Sequence, residues 1–113
     1  MEDCLFCKIV GGEIPSQKVY ETQRVLAFKD INPQAPVHIL IIPKEHYKDI
    51  LSIPREDDIL SEIKEAIEKV AEICGVKESG FRVVTNCGEN AGQSVAHLHF
   101  HLFGGKVLAW PAL

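Results

Sequence analysis

Apolar positions along this chain follow two rhythms. In the middle, Ile59, Ile63, Ala66, Ile67, Val70, Ala71 and Cys74 recur at intervals of three and four. That spacing gathers side chains onto one stripe of a helix, and it predicts a long helix over residues 54–74. Ser52 can cap it, Pro54 suits its first turn, and Glu56, Asp57 and Asp58 complement the positive end of its dipole. Lys64–Glu68 and Glu65–Lys69 form i,i+4 pairs on the outer side, and Gly75 is a stop signal. A short helix is expected over residues 4–11, CLFCKIVG, ending at Gly11-Gly12.

Elsewhere the apolar residues come in short runs. Residues 18–20, 25–29, 37–42, 81–85 and 95–103 read as strands. Thr22 to Arg24 makes a turn, Pro33 and Pro36 mark a loop, and residues 86–94, NCGENAGQS, form a glycine-rich loop. Short turns favour antiparallel pairing. The expectation is an α+β domain spanning residues 1–113, with a five-stranded antiparallel sheet, one short helix and one long one.

Composition narrows the function. Apolar residues make up 46% and charged residues 25%, an ordinary globular balance. The formal net charge of −4 argues against a general nucleic-acid binder. No stretch has the length of a membrane span, and the opening MEDCLFCKIV lacks a basic segment followed by an apolar run. A cytoplasmic protein is expected. In that compartment the Cys4-x-x-Cys7 spacing points to a metal or redox element rather than to a structural disulfide.

The last strand carries the chemistry. His97, His99 and His101 are three of the five histidines. On a strand, a spacing of two places them on one face and leaves Val95, Leu98, Phe100 and Leu102 for the core or apolar flanks. Crowded imidazoles disfavour charge, so neutral rings are expected at pH 7. A neutral imidazole can be a nucleophile, a general base or a metal ligand. The preceding loop, with Gly92 and Ser94, could aim backbone N–H groups at an anion.

HLHFHLF resembles the His-x-His-x-His-x-x motif of the histidine triad superfamily. FCKIVGGEIPS, VLAFKDINPQAPVHILIIPKEH, GFRVVTNCGENAGQSVAHLHFHLFGG and the closing WPAL are similar to its nucleotide-binding (HINT) branch, prokaryotic type. The resemblance implies a HIT-like fold in a homodimer with a continuous ten-stranded sheet. It implies hydrolysis of purine nucleoside phosphoramidates or related adenylates to the nucleoside monophosphate, through a nucleotidyl-His99 intermediate and without a catalytic cofactor. By the same resemblance, His97 and His101 flank the phosphate, His38 completes the histidine set, and Asn86, Gln93 and Ser94 contact the phosphate and leaving group. Asp30 accepts from the ribose, Phe6, Ile9, Ile14 and Phe28 wall the base pocket, and Trp110 reaches towards the partner subunit's site. Each has a plainer account: the four apolar residues as core, Asp30 as a turn residue, His38 as a buried satisfied histidine, Trp110 as tail packing.

Two thiolates from one short turn fit half of a tetrahedral zinc site, and His46 is a candidate for another ligand. The resemblance completes the set as Cys4, Cys7, His46 and His97, a structural zinc; the alternative is a pair of free thiols. Ala96 stands where the branch usually has an aromatic residue, which puts substrate choice in doubt. Other readings are a diadenosine-polyphosphate hydrolase, a nucleotidyl transferase (against which His101 argues), a zinc hydrolase with all three triad histidines on the metal, and a nucleotide-binding protein without turnover.

Overall fold

The computed structural model describes residues 3–113. After a short helix α1 (Leu5–Val10) come strands β1 (Lys18–Glu21), β2 (Val25–Lys29) and β3 (Val37–Pro43), the long helix α2 (Ile59–Ile73), then β4 (Phe81–Val84) and β5 (Phe100–Gly104). The five strands form one antiparallel sheet in the order β1-β2-β3-β5-β4. This is the expected α+β architecture.

Strand alternation divides the apolar residues between two faces. Val25, Ala27, Ile39 and Ile41 pack with Ile59, Ile63, Ala66 and Val70 of α2. Leu26, Phe28, Leu40 and Ile42 pack with Phe6 and Ile9 of α1. The central strand β3 is covered on both sides, which accounts for its nearly unbroken apolar run.

Two predicted boundaries move. The long helix starts at Ile59, not at residue 54. Asp57 accepts from the Ile59 N–H (2.9 Å) and is also held by Arg24 (3.0 Å) and by the Tyr47 hydroxyl. Arg24 grips Asp58 and Glu62 as well, at 2.8 and 2.9 Å. These ties hold residues 54–58 in a turn that leads into the helix. Ser52 does not cap α2; it lies in a 3₁₀ turn, Ile50–Ser52, capped by Asp49.

The last strand is shorter than the expected 95–103. Residues 94–99 run outside the sheet ladder, fastened instead to the segment after β3. His97 donates Nε2–H to the Pro43 carbonyl (2.9 Å), and the Leu98 N–H bonds the Tyr47 carbonyl (2.7 Å). Leu98, Phe100 and Leu102 enter the α2-side core as alternation predicts, whereas Val95 packs on the α1 side.

Candidate functional site

On the α1 side of the sheet lies a cavity of about 320 Å³, within the usual size of a small-molecule pocket. Phe6, Ile9, Ile14, Phe28 and Leu40 give it apolar walls; Asp30, Ser94, His99 and His101 give it polar groups. The apolar wall and these four polar residues therefore converge as expected. Phe6 and Phe28 meet edge to face at 5.9 Å, as do Phe6 and His99 at 5.0 Å. Phe6, Ile9 and Phe28 are core as well as wall, since the cavity opens within the α1-side cluster.

Hydrogen bonds assign the proton on each ring. The Gln34 N–H donates to His38 Nδ1 (3.1 Å), so neutral His38 carries its proton on Nε2. That Nε2–H points at His101 Nδ1, 2.9 Å away, with Asp30 Oδ2 at 3.4 Å. His101 Nδ1 is thereby an acceptor, and its proton sits on Nε2. His99 Nδ1 lies 2.7 Å from the His97 carbonyl, which can only accept. His99 therefore keeps its lone pair on Nε2. Among the described residues no side-chain nitrogen or oxygen is buried without a partner, so the unbonded Nε2 atoms of His99 and His101 are open to the site. One offers a lone pair and the other a proton, on rings whose centroids are 5.1 Å apart.

Burial disfavours charge on the His101 and His38 rings. It pushes His101 down to about 4, helped by repulsion from His99 and His38. Burial also lowers His38, with Asp30 opposing. Asp30 lines the cavity and also accepts from the Asn32 N–H (2.8 Å) in a local turn.

His97 belongs to a different group. Its Nδ1 is turned away from the cavity towards Cys4 Sγ (3.2 Å) and Cys7 Sγ (3.5 Å), and Cys7 Sγ lies 3.4 Å from His46 Nδ1. The four ligand atoms lie within 4.8 Å of one another. In a tetrahedral zinc site, bonds of about 2.3 Å to sulfur and about 2.0 Å to nitrogen put such pairs about 3.5 Å apart. His97 also has the right tautomer: with its Nε2–H donated to the Pro43 carbonyl, it presents a bare Nδ1 to the thiols. Burial and then Cys4 push the Cys7 thiol up to about 11; a cation would reverse this, because thiolate is the ligand form. These residues fit a metal ion. Asp30, His38 and His101 also approach one another, but the His38 and His101 nitrogens there are already joined in the hydrogen-bond relay.

The three triad histidines do not converge on one metal. His97 Nδ1 faces the thiols, His99 Nδ1 a carbonyl and His101 Nδ1 the His38 ring, so the zinc-hydrolase reading loses its ligand set. Their single row is also broken, since only His101 lies in β5.

Other expected residues stand outside the cavity. The Gln93 amide is tied to backbone, accepting from the Gly88 N–H of its own loop (2.9 Å) and donating to the Lys48 carbonyl of the segment after β3 (2.7 Å). Gly92 ends a 3₁₀ turn, Glu89–Ala91, at φ 83°. Asn86 is half-buried and does not line the cavity. Trp110 is 82% exposed, with the Arg82 guanidinium 6.0 Å from its ring centroid. Ala96 is exposed beside Cys4 and His46, not beside the cavity, so its small side chain changes no wall of the pocket.

Several contributors escaped the sequence reading. Gln34 acts through its backbone N–H, and Pro43 and His97 through their carbonyls, which no side-chain pattern reveals. Thr85 donates to the His99 carbonyl (2.8 Å); its place at the end of a predicted strand was its only signal.

Comparison with known proteins agrees with this geometry. Residues 11–108 match the HIT domain family. The chain is 47% identical over 106 residues to a HIT-like protein of Azospirillum brasilense, covering 92% of this chain and 87% of that one. Its fold matches a HIT family hydrolase from Clostridium thermocellum with a TM-score of 0.97 and 52% identity, covering 100% and 99% of the two chains. A histidine triad nucleotide-binding protein from Candida albicans matches with a TM-score of 0.84 and 41% identity, covering 98% and 85%. The chain belongs to the HIT domain family.

Proposed function

We propose that this protein is a purine nucleotide-binding hydrolase that releases a nucleoside monophosphate from phosphoramidates or related adenylates, with His99 as nucleophile. The observation that carries the reading is the pair of assigned tautomers: a bare Nε2 on His99 beside an Nε2–H on His101, at the polar end of an apolar cavity. The likeness to a named hydrolase and to a named nucleotide-binding protein supports it.

In this mechanism the base packs among Phe6, Ile9, Ile14 and Phe28, the ribose hydroxyls donate to Asp30, and the phosphate lies by Ser94, His99 and His101. His99 Nε2 attacks phosphorus; a P–N bond forms as the bond to the amine breaks, and the amine leaves with a proton taken from solvent. Water then attacks phosphorus and releases a proton to solvent, the His99–P bond breaks with its electron pair returning to Nε2, and the monophosphate departs. The imidazolium formed on His99 is stabilised by the His97 carbonyl on its Nδ1–H. Two displacements replace one harder one, and the His101 Nε2–H supports the charge that develops on the phosphoryl oxygens.

Zinc at Cys4, Cys7, His46 and His97 is structural in this reading, closing a four-ligand site. His97 then acts by holding His99 rather than by touching phosphate. Asn86, Gly92 and Gln93 shape the loop before Ser94. The protein works in the cytoplasm as a homodimer, in which Trp110 approaches the partner subunit's site. Residues 1–113 act as one domain. Among the described residues no helix is long and apolar enough to cross a membrane.

The test is AMP release from adenosine 5′-phosphoramidate by wild type and His99→Ala, with and without chelator. Turnover that withstands chelation and disappears in His99→Ala is expected. Loss of turnover on chelation in a folded protein would assign the chemistry to a metal, and AMP binding without turnover would identify a binding protein.

A further inference from the structure

One short helix serves two sites. Cys4 caps α1 and Cys7 lies one turn on, facing His46 and His97; Phe6 and Ile9 of the same helix form the cavity wall. A helix of six residues has too few internal hydrogen bonds to hold itself in place. Its position is set by what those two groups of side chains touch.

A second connection runs through His97. Its ring faces the thiols, while its carbonyl accepts the His99 Nδ1–H at 2.7 Å. Residues 94–99 lie outside the sheet ladder, so the placement of that carbonyl depends on the anchors of His97 and Leu98. A metal ion on Cys4, Cys7, His46 and His97 would join α1, the segment after β3 and the segment before β5, and the cavity is built between the first and last of these.

We propose that metal at this site positions the nucleotide pocket, so that metal and nucleotide bind with positive coupling: metal seats Phe6 and Ile9 against the base and holds the His97 carbonyl on His99. The ligand in this statement rests on the nucleotide reading above; the wiring from metal to His99 does not. Coupling between two sites is reciprocal. AMP therefore raises the affinity for zinc by the factor by which zinc raises the affinity for AMP. His97 is here a positioning residue.

The experiment compares zinc-loaded wild type, chelator-stripped wild type and His46→Ala, which removes a ligand that does not line the cavity. AMP affinity is read by calorimetry and zinc affinity by competition with a chromophoric chelator. Amide exchange is read at Phe6 to Ile9, and the His99 tautomer by ¹⁵N chemical shifts. AMP affinity should fall about tenfold or more without zinc, within the usual range of allosteric coupling, and AMP should tighten zinc by the same factor. Stripping or His46→Ala should speed α1 exchange and turn the single Nδ1–H tautomer of His99 into a mixture, with β2 and β3 still protected. Equal AMP affinity with and without zinc overturns the coupling, as do unchanged exchange and nitrogen signals. Loss of protection throughout the sheet overturns it too, in favour of a metal that holds the whole fold. If AMP binds neither form, the nucleotide reading fails, and the exchange and nitrogen signals still decide whether metal positions α1 and His99.

Discussion

His38 donates its Nε2–H to Nδ1 of His101 across 2.9 Å, and this bond decides which nitrogen of His101 offers a proton to the cavity. His38 is itself set by the Gln34 N–H on its far nitrogen. A backbone donor in the loop before β3 thus determines the tautomer of a side chain on β5.

Replacing His38 should therefore act on chemistry more than on binding. His38→Ala leaves every wall of the cavity in place but frees the His101 ring to change tautomer. We expect kcat to fall by about tenfold, less than the roughly hundredfold or more that a positioned proton donor contributes because His101 keeps a fraction of the productive tautomer, with AMP affinity changed less than kcat. A larger loss in AMP affinity than in kcat would count against the relay.

Burial of His101 predicts a pH dependence of stability. The folded-state value is lowered from 6.5 to about 4, so the unfolded chain binds more protons between those values, and stability rises with pH across that window. His101's contribution is complete above about pH 6.5 and is lost as pH falls through about 4. Denaturation midpoints of wild type and His101→Gln should therefore converge over this range on acidification. Titration of the assigned His101 ring by NMR should show a midpoint near the lower value.

Phe6 joins the α1-side core to the cavity, and it is 4% exposed. Phe6→Ala should cost about 3 kcal/mol of unfolding free energy, as large core truncations do, and should weaken AMP binding. Urea denaturation and calorimetry check the two effects. A variant that loses stability but retains AMP affinity would remove Phe6 from the base pocket.

Tyr47 closes the junction between Arg24 and the start of α2, its hydroxyl bonded to Asp57. Burial and the Asp57 bond push its phenol up to about 12, so it stays a donor at any physiological pH. Tyr47→Phe should cost about 1 kcal/mol, the net worth of a typical buried hydrogen bond, measured by chemical denaturation.

At Gly104 in β5, an added Cβ would lie 3.0 Å from Val76 Cγ1 and 3.1 Å from Val76 Cβ. Gly104→Ala should destabilise by about 1 kcal/mol, at the low end for overpacking, and it should cost less in a Val76→Ala background than in wild type. Thermal melts of wild type, the two single variants and the double variant check it.

What was legible in the sequence is whatever depends on a local period. The three-and-four spacing from Ile59 to Cys74 placed α2 and its buried stripe, and alternation placed Leu98, Phe100 and Leu102 in the core. The Cys4-x-x-Cys7 spacing marked a ligand pair that the fold joins to His46 and His97. Tertiary structure decided the rest. Asp57 reads as a helix-start residue, but Arg24 and Tyr47 reach it from distant segments and hold the chain in a turn until Ile59. The histidine row reads as one face of one strand, yet His97 is drawn to the Pro43 carbonyl and the thiols, and only His101 remains in the ladder. The protons were equally out of reach. An imidazole has two nitrogens of similar basicity, and residue identity does not choose between them; the Gln34 N–H and the His97 carbonyl do, and they meet the rings only in the backbone conformation that the fold imposes.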